Sequence, residues 1–209
     1  MSILSAATPV FAVPTGVDRL GFPSYRPLPG GVPNPPNAWV EANELNMVRT
    51  LNARAQQNPQ ALKFTEYISE HGAFGIWMDF AKQYRKTAGF VRGWLGTGVM
   101  LAAMGSAALK TTIAKRGYDR LRPFQIDPSI HPLGKIPKDA SFPSGHTSAA
   151  YAAATALSTL WPARAQEFGW WARQTGLSRV HAGVHFPSDV QMGAQVGIQS
   201  GLAATSFLR

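Results

Sequence analysis

Eight residues of this sequence have the types and spacing to do chemistry together: Lys115, Arg122, Ser144, Gly145, His146, Arg179, His185 and Asp189. Lys115 and Arg122 stand in Lys115-Arg-Gly-Tyr-Asp-Arg-Leu-Arg122-Pro123, two helical turns apart, so a continuous helix would give them a common face. Pro123 pushes Arg122 out of the helical region and onto an exit loop. Two cations at a helix end suit an oxyanion, and the arginine offers a forked, bidentate geometry. Pro143-Ser144-Gly145-His146 directly precedes an alanine-rich run, where Ser144 is a preferred cap. The N–H groups of such a helix start attract anions, and Gly145 lets the backbone approach a ligand closely. His146 then stands at the pocket edge, placed to give or take a proton. Ser178-Arg179-Val-His-Ala-Gly-Val-His185-Phe-Pro-Ser-Asp189 adds a third cation and a histidine–aspartate pair four residues apart. A carboxylate on one imidazole nitrogen fixes the tautomer and leaves the other nitrogen free as nucleophile or base.

Taken alone, each segment has a plainer use. Cations near a helix end answer its dipole, Pro-Ser-Gly punctuates loops, and an aspartate beside a surface histidine can simply cap a helix. Together they supply what phosphoryl transfer without a metal requires: charge for the equatorial oxygens, an in-line nucleophile and an acid for the leaving oxygen. No His, Cys, Asp and Glu set has zinc-site spacing, and the chain has no cysteine. His71 and His131 stand alone, and His181 reads as a packed or surface histidine.

The elements that must hold these groups are helical. Asn37 caps a predicted helix from Ala38, with Leu45, Val48 and Leu51 at helical spacing, and Pro59 closes it. Further helices are predicted over Pro59–His71, Phe74–Lys86 and Val91–Arg116, then a loop with Pro123, Pro128, Pro132 and Pro137. Another runs from Ser144 to Leu160 and a shorter one from Arg164 to Thr175. The last starts beside Pro187, and its Gly193, Gly197 and Gly201 let a neighbouring helix approach closely. Val180 and Val184 are the only hint of extended structure. Trp161, Trp170 and Trp171 read as core or subunit contacts. Residues 1–37 hold eight of the 16 prolines and read as an extended arm, tied to the body or to a neighbouring subunit through Phe11, Phe22 and Tyr25. The expected architecture is an all-α single-domain helical bundle over 38–209 behind that arm, and a homo-oligomer is expected.

Composition narrows the partners. Twenty Lys and Arg against 11 Asp and Glu give a net charge of +9, which favours anionic ligands. The cations are scattered, as at Arg49, Arg54, Lys63, Lys82, Arg85 and Lys86, so no nucleic-acid surface is expected. Gly93–Leu109 is too short for a bilayer span, and Ala140–Ala163 and Val190–Leu208 are interrupted by polar residues and glycine or proline. All three read as buried core helices, and no membrane span is expected. The first residues lack the basic region of a signal peptide.

The three segments, Lys-x6-Arg-Pro, Pro-Ser-Gly-His and Ser-Arg-x5-His-x3-Asp, resemble the signature of the type 2 phosphatidic acid phosphatase superfamily, with all eleven specified positions in order. Tyr118-Asp-Arg-Leu-Arg-Pro-Phe124 and Lys138-Asp-Ala-Ser-Phe-Pro-Ser-Gly-His-Thr147 look most like its soluble bacterial class A non-specific acid phosphatases, whereas Gly183-Val-His-Phe-Pro-Ser-Asp189 resembles its membrane lipid phosphatases more. The resemblance implies a metal-independent phosphomonoester hydrolase in which His185 forms a phosphohistidine, Asp189 orients it, and His146 protonates the leaving oxygen. It implies that Lys115, Arg122, Ser144, the Gly145 amide and Arg179 bind phosphate. It also implies a periplasmic or secreted protein, although the missing signal peptide leaves a cytoplasmic one open. The main rival is a vanadium-dependent haloperoxidase, in which the same cations hold vanadate and His185 ligates it. A membrane-surface lipid phosphatase would need several spans or an exposed amphipathic face, and the sequence displays neither. A non-catalytic anion-binding module would leave the His185–Asp189 pair unexplained.

Overall fold

Each helix boundary follows from local chemistry. The computed structural model describes residues 38–208. The proline-rich arm and the Asn37 cap lie outside them. Helices α1 (Ala38–Gln57) and α2 (Pro59–His71) are separated by Asn58, whose side chain accepts the Gln60 and Ala61 amides while Pro59 takes the first helical position. Helices α3 (Gly75–Ala88) and α4 (Phe90–Tyr118) form an antiparallel hairpin through Gly89, whose φ of 79° suits glycine. A single-turn helix, α5 (Pro123–Ile126), follows the α4 exit. Helices α6 (Gly145–Leu160), α7 (Ala165–His181) and α8 (Pro187–Ala204) complete the bundle. No strand occurs among the described residues, so the all-α expectation holds.

Helix α6 is central and packs against α4, α7 and α8. Its alanines are small and all but Ala149 are buried, so three neighbours can come close. Helix α8 runs parallel to it. A Cβ on Gly193 would meet the Ser144 carbonyl oxygen at 2.6 Å, one on Gly197 the Ser148 oxygen at 2.5 Å, and one on Gly201 Thr155 Cβ at 2.5 Å. The predicted glycine stripe is therefore the seam along which α8 lies on α6. Because the pair is parallel, both N-termini, and both partial positive charges, meet at one end. Trp77, Phe80, Met100, Phe142, Leu157 and Phe168 cluster around the α6 alanines, and a second cluster holds Val48, Ile130, Val180 and Phe186.

Two expectations need correction. Helix α7 does not stop at Thr175. The next residue, Gly176, stays helical, and its missing side chain makes room for Val190, 2.8 Å from where a Cβ would lie. The helix runs on to His181, so Val180 is helical and buried, and Val184 sits in a buried turn rather than extended structure. Second, Gly93–Leu109 is not wholly buried. Trp94, Leu95, Leu101 and Leu109 face outward on α4, while Gly96, Met100, Met104 and Ala107 face the core. Small and apolar residues on both faces hid this outer apolar surface from the sequence pattern. Among the described residues, no helix is long and apolar enough to cross a membrane.

Candidate active site

The eight candidate residues converge where α6 and α8 begin and α4 and α7 end. Helix α4 stops at Asp119, which takes a left-handed conformation (φ 43°), so Lys115 lies in its last turn. Arg122 is extended (φ −87°, ψ 156°), as Pro123 requires, and turns inward to be 1% exposed. Ser144 caps α6, accepting from the Thr147 amide and hydroxyl, and donates its own amide to the Asp189 carbonyl at 2.9 Å. That bond ties the start of α6 to the start of α8. Gly145 opens α6, with only a Thr111 methyl, at 3.8 Å, near the place a Cβ would occupy. Its amide is among the first-turn N–H groups that lack a helical partner.

His185 is buried, with Nδ1 3.2 Å from Asp189 Oδ2 and Nε2 3.2 Å from Arg122 Nη1. A guanidinium only donates, so Nε2 must offer its lone pair and Nδ1 must carry the proton given to Asp189. The geometry therefore selects the tautomer whose free nitrogen faces the cations. Asp189 is fully buried and saturated. Its Oδ2 also accepts from Ser141 Oγ (2.5 Å) and the Phe186 amide (2.8 Å), and its Oδ1 accepts from Arg120 Nη1 (2.7 Å).

The three cations are also brought together. Arg122 donates to the carbonyls of Asp139, Ala140 and Val184 and to the Asp139 carboxylate. Lys115 bonds the Ala140 carbonyl and pairs with the same carboxylate at 3.1 Å. Arg179 gives one N–H to Ser69 Oγ at 2.9 Å, and its buried Nε has no protein acceptor. A buried donor without an acceptor costs about 1–3 kcal/mol, which an oxyanion would recover. His146 reaches the Ser69 carbonyl from Nε2 at 3.3 Å, so one residue of α2 holds both His146 and Arg179.

Burial and neighbouring positive charge set the protonation states. Burial, then Arg179, lowers His146 to about 4. Burial lowers His185 to about 3, with Arg122 adding to the shift and the Asp189 bond opposing it. Burial, then Arg122, lowers Arg179 to about 10 and also lowers Lys115. At neutral pH both histidines are therefore uncharged beside three cations. An arriving dianion would raise His146 toward its acid form.

A cavity of about 890 Å³ opens on His146 and Ser69, walled by Lys63, Glu66, Tyr67 and Glu70 of α2 and by Lys135. A ligand bound beside His146 would extend into it. A second groove of about 690 Å³, between α4 and α8 at Ile113 and Val196, touches none of the eight residues.

Four residues at this site were not singled out in the sequence. Arg120 and Ser141 saturate Asp189, Asp139 bridges two cations, and Ser69 supports the other two groups. Arg120, Asp139 and Ser141 lie inside the motif strings, and that position is their signal in the sequence. Ser69 gives no sequence signal, because its role depends on how α2 packs against α7. His71 and His131 are exposed, His181 is half-buried at the end of α7, and Trp161 and Trp171 pack against the core. Among the described residues, no three His, Cys, Asp or Glu side chains are placed to share a metal ion.

The sequence model of the PAP2 superfamily matches residues 96–209. The non-specific acid phosphatase of Salmonella typhi is 41% identical over 91 residues, which is 42% of this chain and 36% of that protein. That of Providencia stuartii is 36% identical over 101 residues, 46% of this chain and 40% of that protein. The similarity thus spans well under half of these relatives' length. The fold resembles a vanadium-dependent iodoperoxidase (TM-score 0.70, 19% identity, 88% of this chain and 53% of that one). It also resembles Aquifex aeolicus LpxE (0.64, 24%, 78% and 94%) and a Bacillus subtilis transmembrane PAP2 type phosphatidylglycerolphosphate phosphatase (0.61, 24%, 82% and 87%).

Proposed function

The chain belongs to the PAP2 superfamily, and from that premise we propose that it hydrolyses small phosphomonoesters through a phosphohistidine, without a metal. The observation that carries this reading is the lone pair of His185 Nε2, oriented from behind by Asp189 and set against Arg122. Lys115, Arg122 and Arg179 hold the phosphate oxygens, helped by Ser144 and the amides that open α6. Nε2 attacks phosphorus in line as the ester P–O bond breaks, and His146 gives its proton to the departing oxygen. Asp189 stabilises the positive charge that appears on His185. His146, now neutral, then takes a proton from water, whose oxygen displaces His185 and releases inorganic phosphate. The three cations supply the charge neutralisation that a metal provides elsewhere.

Acid phosphatase relatives at 36–41% identity support the hydrolase reading. Vanadate matches phosphate in charge and shape, and the unpartnered Arg179 Nε suits either. Held there, vanadate would present a metal centre to His185 Nε2. The deciding experiment assays one EDTA-treated preparation for para-nitrophenyl phosphate hydrolysis and for vanadate-dependent bromide oxidation, with His185→Ala in both. Hydrolysis abolished by the substitution, with little bromination, is expected. Strong bromination with negligible hydrolysis, or hydrolysis restored only by added magnesium or zinc, overturns the proposal.

A further inference from the structure

Asp139 stands outside the eight residues, yet its carboxylate lies on two of the three cations. Oδ1 accepts from Arg122 Nη2 at 2.8 Å and Oδ2 pairs with Lys115 Nζ at 3.1 Å. Lys115 and Arg122 are 10% and 2% exposed at their side chains, whereas Asp139 is 59% exposed, so it meets them from the solvent side. No other carboxylate pairs with either cation among the described residues, and none pairs with Arg179. Asp189 is committed to His185, Ser141 and Arg120. Nor is the Asp139 side chain needed to place the cations. The carbonyls of Asp139, Ala140 and Val184 already hold Arg122, and the Ala140 carbonyl also holds Lys115.

We propose that Asp139 sets how tightly this pocket retains an oxyanion, keeping it a site of turnover rather than of retention. Asp189 is paired with Arg120, so counting only the three cations and the one carboxylate paired with them leaves two positive charges, which match a phosphate dianion. Without the carboxylate the pocket would hold its dianion with one charge in excess. An entering anion must also displace the carboxylate from Arg122 and Lys115 or share them with it. Both effects weaken retention, which benefits an enzyme that must release phosphate and opposes a resident vanadate. The inference rests on the phosphatase reading and names the residue that tunes the same site.

The test is Asp139→Asn, which keeps the shape and removes the charge, with Asp139→Ser as a second variant and Asp139→Glu as the charged control. The full chain is titrated calorimetrically with inorganic phosphate and separately with orthovanadate, and phosphate inhibition of para-nitrophenyl phosphate hydrolysis is measured alongside. Both neutral variants are expected to bind each oxyanion at least about tenfold more tightly, the low end for deleting a partly screened charge. Asp139→Glu is expected to stay within threefold, on the order of the experimental spread for a retained charge. Unchanged or weaker oxyanion binding in whichever neutral variant folds, with wild-type hydrolysis intact, overturns the role of Asp139 alone. A wild type that neither binds these oxyanions nor hydrolyses the ester overturns both the role and the reading beneath it.

Discussion

Replacing Arg120 with methionine tests how far the candidate dyad depends on its surroundings. Arg120 is nearly buried, and its guanidinium meets Asp189 at 2.7 Å, Glu41 at 2.9 Å, Ser188 at 2.9 Å and Glu44 at 3.4 Å, lying 4.0 Å above the Phe186 ring. Breaking a buried ion pair from one side costs about 3–5 kcal/mol, because the partner charge is left behind. Glu41 is 32% exposed and can hydrate, which favours the lower figure. About 3 kcal/mol in a domain of this size lowers Tm by roughly 6–12 °C. Activity is expected to fall as well. Burial tends to raise the Asp189 carboxyl, but its bonds to His185, the charge of Arg120 and Ser141 together hold it below the usual range. Loss of one charge-assisted bond, about 1.5–3 kcal/mol, predicts a fall in kcat on the order of 10–100-fold. KM should change little, since Arg120 does not line the pocket, and the acid limb of the pH profile should move upward. Thermal melts and steady-state kinetics on Arg120→Met, Arg120→Lys and Arg120→Met/Glu44→Gln measure this. Removing Glu44 as well should recover part of the lost stability. A single variant within about 2 °C of wild type in Tm and within about twofold in kcat would refute the reasoning.

Two further outcomes follow from the same geometry. His146 and His185, lowered in the folded state to about 4 and about 3 from an ordinary value of 6.5, leave the unfolded chain holding more protons below pH 6.5. Stability should therefore fall as pH drops from 6.5 toward 4, with a shallower slope in His146→Gln; a flat wild-type Tm between pH 7 and 4.5 contradicts this. Gly193→Ala should destabilise by about 1–3 kcal/mol and lower kcat, because its methyl would press on the Ser144 carbonyl at 2.6 Å and part the two helix starts. Wild-type stability and rate in that variant would mean that the α6–α8 seam has slack.

Much of this was legible because the chemistry sits in short strings beside strong local signals. Pro123 marked the turn that carries Arg122, Ser144 the start of α6, and Pro187 the start of α8. Glycine was the ambiguous letter. Gly176, just past the expected end of α7, is a packing contact inside the helix, whereas Gly183 (φ 70°) follows its true end. The acidic partners of Arg120 could not be found, since Glu41 and Glu44 lie more than 70 residues upstream and meet it only through the packing of α1. Ser69 was hidden for the same reason.

The division of labour between helices has a consequence for redesign. Helices α6 and α8 meet along a seam where three glycines admit no side chain, so His146 in the first turn of α6 and His185 two residues before α8 are positioned by a unit that sequence drift can hardly alter. The cavity wall beside His146 belongs to a different helix, where Lys63, Glu66, Tyr67 and Glu70 are all exposed. Substitutions at such surface positions usually shift stability by no more than about 0.5 kcal/mol. On the proposed mechanism, a library confined to those four positions can therefore explore new leaving groups while the two histidines stay in place, which makes α2 the evolvable part of this molecule.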